Sequence, residues 1–161
     1  VSYSCTEILD ESIKLELLVS DLYMLFYHSF PEDADFWWKL SLEEKNHAAL
    51  VRSIRDIFQS VSGLPESMFS SSAEDIKNTN LRTGSLLETF RNAPPSRTEA
   101  FRIALDLEES AGELHYQKFM TDHLHEKINE VFKQLNGEDK NHAERIRSRM
   151  TRSGIEVKTE Q

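Results

Sequence analysis

The residues with the most chemistry in this chain come twice. Leu40 to Ser53 reads LSLEEKNHAALVRS and Leu135 to Ser148 reads LNGEDKNHAERIRS, identical at eight of fourteen positions. Each copy sets an acidic residue three places before a histidine: Glu44 with His47, and Asp139 with His142. Two further stretches match more weakly, yet both place a glutamate seven residues before a tyrosine, Glu16 before Tyr23 and Glu109 before Tyr116. Carboxylates and imidazoles at helical spacing are the donor types of a metal centre, and whatever two copies share should meet at a two-fold axis.

These residues fall where apolar ones belong. Steps of three and four keep a residue on one helix face, so Glu44 and His47 share the stripe of Leu40, Val51 and Ile54, while Asp139 and His142 interrupt that of Leu135 and Ile146. Glu16 and Glu109 sit between the apolar neighbours of their own helices. Singly, each has an ordinary reading: a glutamate bends to water and a core histidine is hydrogen-bonded. Together they resist it. Four carboxylates facing one another in a low-dielectric interior repel, one buried unpaired costs several kcal/mol, and the stripes carry no matching set of Lys or Arg. Two divalent cations would balance the charge, with the imidazoles as neutral ligands. An oxygen-rich set with one imidazole per ion suits iron or manganese better than zinc. A Glu from two helices and an acid-x-x-His from two others is the inventory of di-iron carboxylate bundles.

On Glu16 with Tyr23, Glu44-Lys45-Asn46-His47, Glu109 with Tyr116, and Asp139-Lys140-Asn141-His142, the chain resembles the rubrerythrin branch of the ferritin-like family from about Ser12 to Met150. The resemblance implies that Glu16 and Glu109 are terminal ligands, Glu44 and Asp139 bridging carboxylates, and His47 and His142 nitrogen ligands of two iron ions, with manganese or a mixed pair as alternatives. Tyr23 and Tyr116 would stand beside the metals as catalytic partners. It implies reduction of hydrogen peroxide or dioxygen. Three features depart from the family pattern. No four-cysteine set is present for an iron–sulfur tail, so electrons must come from an external donor protein. Asp139 replaces the usual Glu, and Gly112 stands where those rubrerythrins carry a further Glu three residues after the terminal ligand. Glu113, one turn on from Glu109, is the candidate substitute ligand or else a solvated helix residue.

The elements that must position these groups follow from apolar periodicity. A first helix runs from Thr6 to Phe30 and ends at Pro31. A second carries Trp37, Leu40, Val51, Ile54 and Phe58, with Asp33 or Asp35 as its cap, and stops near Gly63-Leu64-Pro65. Residues 61–95 read as a connection holding a short helix. A third long helix runs from about Ser96 to His123, with Phe101, Leu105, Gly112, Tyr116 and Phe119 inward, and a fourth from about Glu126 to Met150. At about 25 residues each, these helices are roughly 35–40 Å long. Tight hairpins near 31–34 and 122–127 flank a connection long enough to travel back along the bundle. The expected fold is all-α: an antiparallel, ferritin-like four-helix bundle over 1–150, with one crossover and an internally duplicated hairpin, followed by a frayed polar tail at 151–161.

Composition excludes several classes. The 161 residues suffice for one core without staples, and 5 Gly with 4 Pro argue against a many-stranded β protein or a glycine-rich nucleotide cradle. A formal charge of −9, from 19 Lys and Arg against 28 Asp and Glu, argues against nucleic acid as a partner. No stretch reaches the ~20 apolar residues of a membrane span, and no basic leader opens the sequence. A cytoplasmic homodimer is the expected setting. Single Cys5 reads as a small core or terminal residue. His28, His115, His123 and His125 read as surface residues near helix ends, Asn46 and Asn141 as pointing off the stripe, and Trp37 as core. The alternatives to an oxidoreductase are a non-enzymatic, ferritin-like iron store and a bundle with a structural metal site.

Overall fold

The computed structural model describes residues 4–60, 73–115 and 126–157. Five helices, with no strand among the described residues, follow in order: α1 (Cys5–Ser29), α2 (Ala34–Ser60), α3 (Ala73–Asn92), α4 (Arg97–His115) and α5 (Glu126–Arg152), with a 3-10 turn at Pro31–Asp33. Helix α1 opens on a capping box, in which the Ser4 hydroxyl accepts from Glu7 N–H and the Glu7 carboxylate accepts from Ser4 N–H. It closes at Phe30 because Pro31 cannot continue it. Helix α4 follows Pro94-Pro95, and the Ser96 hydroxyl accepts from Glu99 N–H at 3.2 Å. No helix among the described residues is long and apolar enough to cross a membrane.

Helix α1 packs along α2, α4 along α5, and smaller contacts of α1 with α4 and α2 with α5 close a ring of four neighbours. Helix α3 lies outside this ring against α1. At 20 residues it is longer than the short helix expected in 61–95. Its buried stripe, Ile76, Asn80, Thr83, Leu87 and Phe90, has two polar members whose donors are used: the Asn80 amide donates to the Glu11 carbonyl and carboxylate on α1, and the Thr83 hydroxyl to the Thr79 carbonyl. Those two weaken the apolar pattern without weakening the packing. The end of α5 also differs from the expected frayed tail. Gly154, at φ +68°, lets Ile155 N–H reach back to the Met150 carbonyl at 2.9 Å, and buried Ile155 seals the core beneath it. The second expected hairpin, near 122–127, falls largely outside the described residues.

The core comes in two pieces. One gathers Val19, Tyr23, Phe26, Trp37, Leu40, Phe101, Leu105, Ile146 and Met150. The other gathers Ile13, Val51, Ile54, Phe58, Ile128, Phe132 and Leu135. On α1, α2 and α5 the switch from one to the other falls at Glu16, at Glu44 and His47, and at His142. A polar layer crosses the ring between two apolar ones.

Candidate metal centre

Close approach of α1 and α2 begins with small residues. Ser20 Oγ lies 2.8 Å from the Ser41 carbonyl and 3.0 Å from its hydroxyl, both side chains buried. One turn along each helix, Glu16 and Glu44 thereby share the interior with the imidazoles of His47 and His142. Glu16, Glu44, His47, Glu108 and His142 are all at least nine-tenths buried.

The arrangement is nearly two-fold. Glu44 stands at its centre and turns one oxygen to each ring: Oε2 lies 3.0 Å from His47 Nδ1, and Oε1 lies 2.9 Å from His142 Nδ1. Outer glutamates complete each half at equal distances. Glu16 Oε2 is 3.6 Å from His47 Nδ1, and Glu108 Oε2 is 3.6 Å from His142 Nδ1. The rings stack with centroids 5.2 Å apart. Their far sides cross between repeats, His47 Nε2 meeting Glu138 at 2.7 Å and His142 Nε2 meeting Glu43 at 2.9 Å. Tyr23 donates to Glu108 Oε1 at 2.5 Å.

Charge in this layer is balanced by protons. Burial opposes a charge on His47, but the carboxylates of Glu16 and Glu44 overcome it and push the imidazole up to about 12. His142 is pushed up to about 11 against burial by Glu108 and Glu44. Burial, with repulsion from Glu44, raises Glu108 to about 7 despite the attraction of His142 and the hydrogen bond from Tyr23. On Glu138, burial would raise the carboxyl, yet bonds from Gln134 and His47 hold it below the usual range.

The donor set fits divalent cations. Glu44, His47 and His142 each offer a donor atom within 4.8 Å of the others, a grouping that could hold a metal ion. Glu44 Oε1 and His142 Nδ1 are fully buried and close, but without hydrogen-bond geometry. Once the ring gives up its Nδ1 proton, the lone pair left facing a carboxylate oxygen calls for a cation in the proton's place. Glu16 and Glu108 stand 3.6 Å from the two rings, at the edge of that group.

Glu16, Glu44, His47, His142 and Tyr23, singled out in the sequence, come together here. Glu109 does not: its side chain is 39% exposed and pairs with Arg147, and Glu108 holds the inward position instead. The physical reason is helical register. Steps of four and three from Phe101 pass through Leu105 to residue 108, whereas the seven-residue spacing to Tyr116 selected 109. Tyr116 lies outside the described residues, as do the side chains of Asp139 and Glu113. Asp33 is no helix cap either, since Arg97 and Arg149 take its carboxylate oxygens. Sequence reading missed Glu43 and Glu138, which the repeat aligns with each other but which lie one residue off the stripe. His28, Asn46 and Asn141 are exposed and Trp37 is fully buried, whereas Trp38 is exposed. The side chains of His115, His123 and His125 are outside the described residues. Scattered in sequence, Lys39, Arg145, Arg149 and Arg152 line one shallow groove of about 350 Å³ beside Asp35 and Phe36.

Compared with family models, with curated proteins and with solved structures, the chain shows no match. What the centre can do follows from its own residues.

Proposed function

We propose that this chain is a di-metal oxidoreductase of rubrerythrin-like type, a ferritin-like four-helix bundle of α1, α2, α4 and α5 with α3 in the crossover. One observation carries the reading: Glu44 divides its two oxygens between the inward Nδ1 atoms of two repeat-related histidines, each half completed by its own buried glutamate. Three buried carboxylates and two imidazoles favour iron, with manganese as the alternative.

Two iron ions held there would supply the two electrons that, with two protons, turn hydrogen peroxide into two water molecules. The chain's own groups prepare the site. Tyr23 fixes the orientation of Glu108 through Oε1, which leaves Oε2 directed at His142. Apolar layers on both sides keep bulk water from the donors. Electrons arrive from outside these 161 residues, whose one cysteine cannot form an iron–sulfur site, and an external donor protein is the proposed source. Exposed Trp38 and Leu42, one turn apart on α2, favour a homodimer.

Elemental analysis of protein purified without added metal, followed by anaerobic mixing of the iron(II) form with hydrogen peroxide, tests the reading. Two ions per chain and fast optical change with peroxide are expected. Oxidation by dioxygen alone would make the protein an oxidase, and inertness to both would overturn the redox assignment.

A further inference from the structure

The two halves of the centre are alike in their donors and unlike in what stands behind them. Each imidazole presents Nδ1 inward and Nε2 to a glutamate of the opposite repeat, Glu138 for His47 and Glu43 for His142. A carboxylate on Nε2–H keeps the proton on that nitrogen, leaves the lone pair at Nδ1, and raises the basicity of the ring as a ligand. Glu138 is steadied by a neutral group, Gln134, which donates to its other oxygen at 2.8 Å. Among the described residues it meets no Lys or Arg. Glu43 is different: the oxygen that faces His142, Oε2, also accepts from Arg145 at 2.6 Å. That guanidinium draws negative charge from the very atom that polarises the ring. Arg145 occupies the position that Leu50 holds in the first repeat, and Gln134 that of Lys39, so the inequality comes from differences between the copies.

We infer that Glu43 and Glu138 are positioning residues, each orienting the imidazole of the opposite repeat toward the centre, and that Arg145 makes the two halves unequal, so that the half containing His47 takes a divalent cation first. This rests on the di-metal reading above and adds an order of loading to it. Glu44, common to both halves, cannot set that order, and the distances to Glu16 and Glu108 are equal. Tyr23 ties Glu108 in the half containing His142, and the charge behind the rings is the difference that acts on the imidazoles themselves.

The test is titration of metal-free protein with cobalt(II) against a chromogenic chelator, following the visible spectrum of bound cobalt. Two separate steps are expected. Glu138→Gln keeps the shape and removes the charge, and weakens the first step by about 10–100-fold while sparing the second. Glu43→Gln does the reverse. Arg145→Leu, which copies the first repeat, tightens the second step by about 2–5-fold, the worth of a partly exposed ion pair, and narrows the gap. Glu43 and Glu138 keep 36% and 40% of their side chains in water, so these variants are expected to fold. A spectral change confined to the first step in Glu138→Gln separates positioning from general loosening. Equal effects of both Gln variants on both steps, or a gap unmoved by Arg145→Leu, would overturn the inference and leave the di-metal reading standing. Wild-type protein that binds no cobalt would overturn both.

Discussion

Among the described residues, two sites built on buried carboxylates are neutralised by different means. Asp33, fully buried in the turn between α1 and α2, accepts from Arg97 at 2.6 and 3.0 Å and from Arg149 at 2.8 and 2.6 Å. Arg97 goes on to the Ser153 hydroxyl and Arg149 to the Glu32 carbonyl, so the start of α4 and the end of α5 are tied to the turn. Burial would raise the Asp33 carboxyl, but the two guanidinium groups hold it below its ordinary value. Midway along the ring, Glu16, Glu44 and Glu108 face histidines. Arginine keeps its charge at every accessible pH, whereas an imidazolium can surrender its proton to make room for a metal. A carboxylate closed by guanidinium is structure, and one closed by removable protons is a site in waiting.

The largest effects should come from the central acid. Glu44→Gln keeps the volume and removes the one group that, among the described residues, both halves share. Metal affinity should fall by more than the about 10–100-fold that outer partners are worth, with stoichiometry by elemental analysis dropping below two. Two ions retained by this variant would mean that the donors are wrongly assigned. Asp33→Ala should do the opposite, leaving metal stoichiometry intact while stranding two arginines. Urea unfolding is expected to show a loss of about 3 kcal/mol, at the low end for a broken buried pair because Arg97 and Arg149 keep about a third of their side chains in water. A loss of metal binding in this variant would erase the distinction between the clusters.

Acid and base should separate the clusters as well. Asp33 has a depressed folded-state value, so its contribution to stability is present above the unfolded value near 3.8 and is lost as pH falls through the folded one. His47 and His142 are raised to about 12 and 11, so in metal-free protein their contribution is complete below the unfolded value near 6.5 and fades only as pH rises through those folded values. At pH 7 both imidazoles therefore carry protons that metal must displace. Loading at pH 7 should release at least two protons per chain in a weakly buffered titration, with a further fraction from Glu108, and apparent affinity should climb with pH. Loading without acidification would show that the rings are neutral beforehand.

Much of this was legible in the sequence, because a polar residue on an apolar stripe is conspicuous and a repeated one more so. Glu16, Glu44, His47 and His142 all announced themselves that way. Glu43 and Glu138 did not, since one residue off the stripe looks the same whether a side chain meets water or the far nitrogen of a histidine in the other repeat. Helix α3 looks short in the sequence because Asn80 and Thr83 occupy buried positions where apolar residues would mark a longer stripe. The Asp33 cluster joins residues 64 and 116 positions apart, a pairing that no local pattern encodes.

The smallest expected effect discriminates most finely between two adjacent glutamates. Glu109, chosen by its distance from Tyr116, pairs with Arg147 on the surface, with both side chains well exposed. Such a pair contributes about 0–1 kcal/mol. Glu109→Gln should therefore leave unfolding nearly unchanged and metal stoichiometry at the wild-type value. Glu108→Gln alters a buried carboxylate that accepts from Tyr23 and faces His142, and should cost the second ion. If the neighbour's substitution lost the ion instead, α4 would have to be turned by about one residue, some 100° about its axis, and the pairing of Tyr23 with Glu108 would be lost with it.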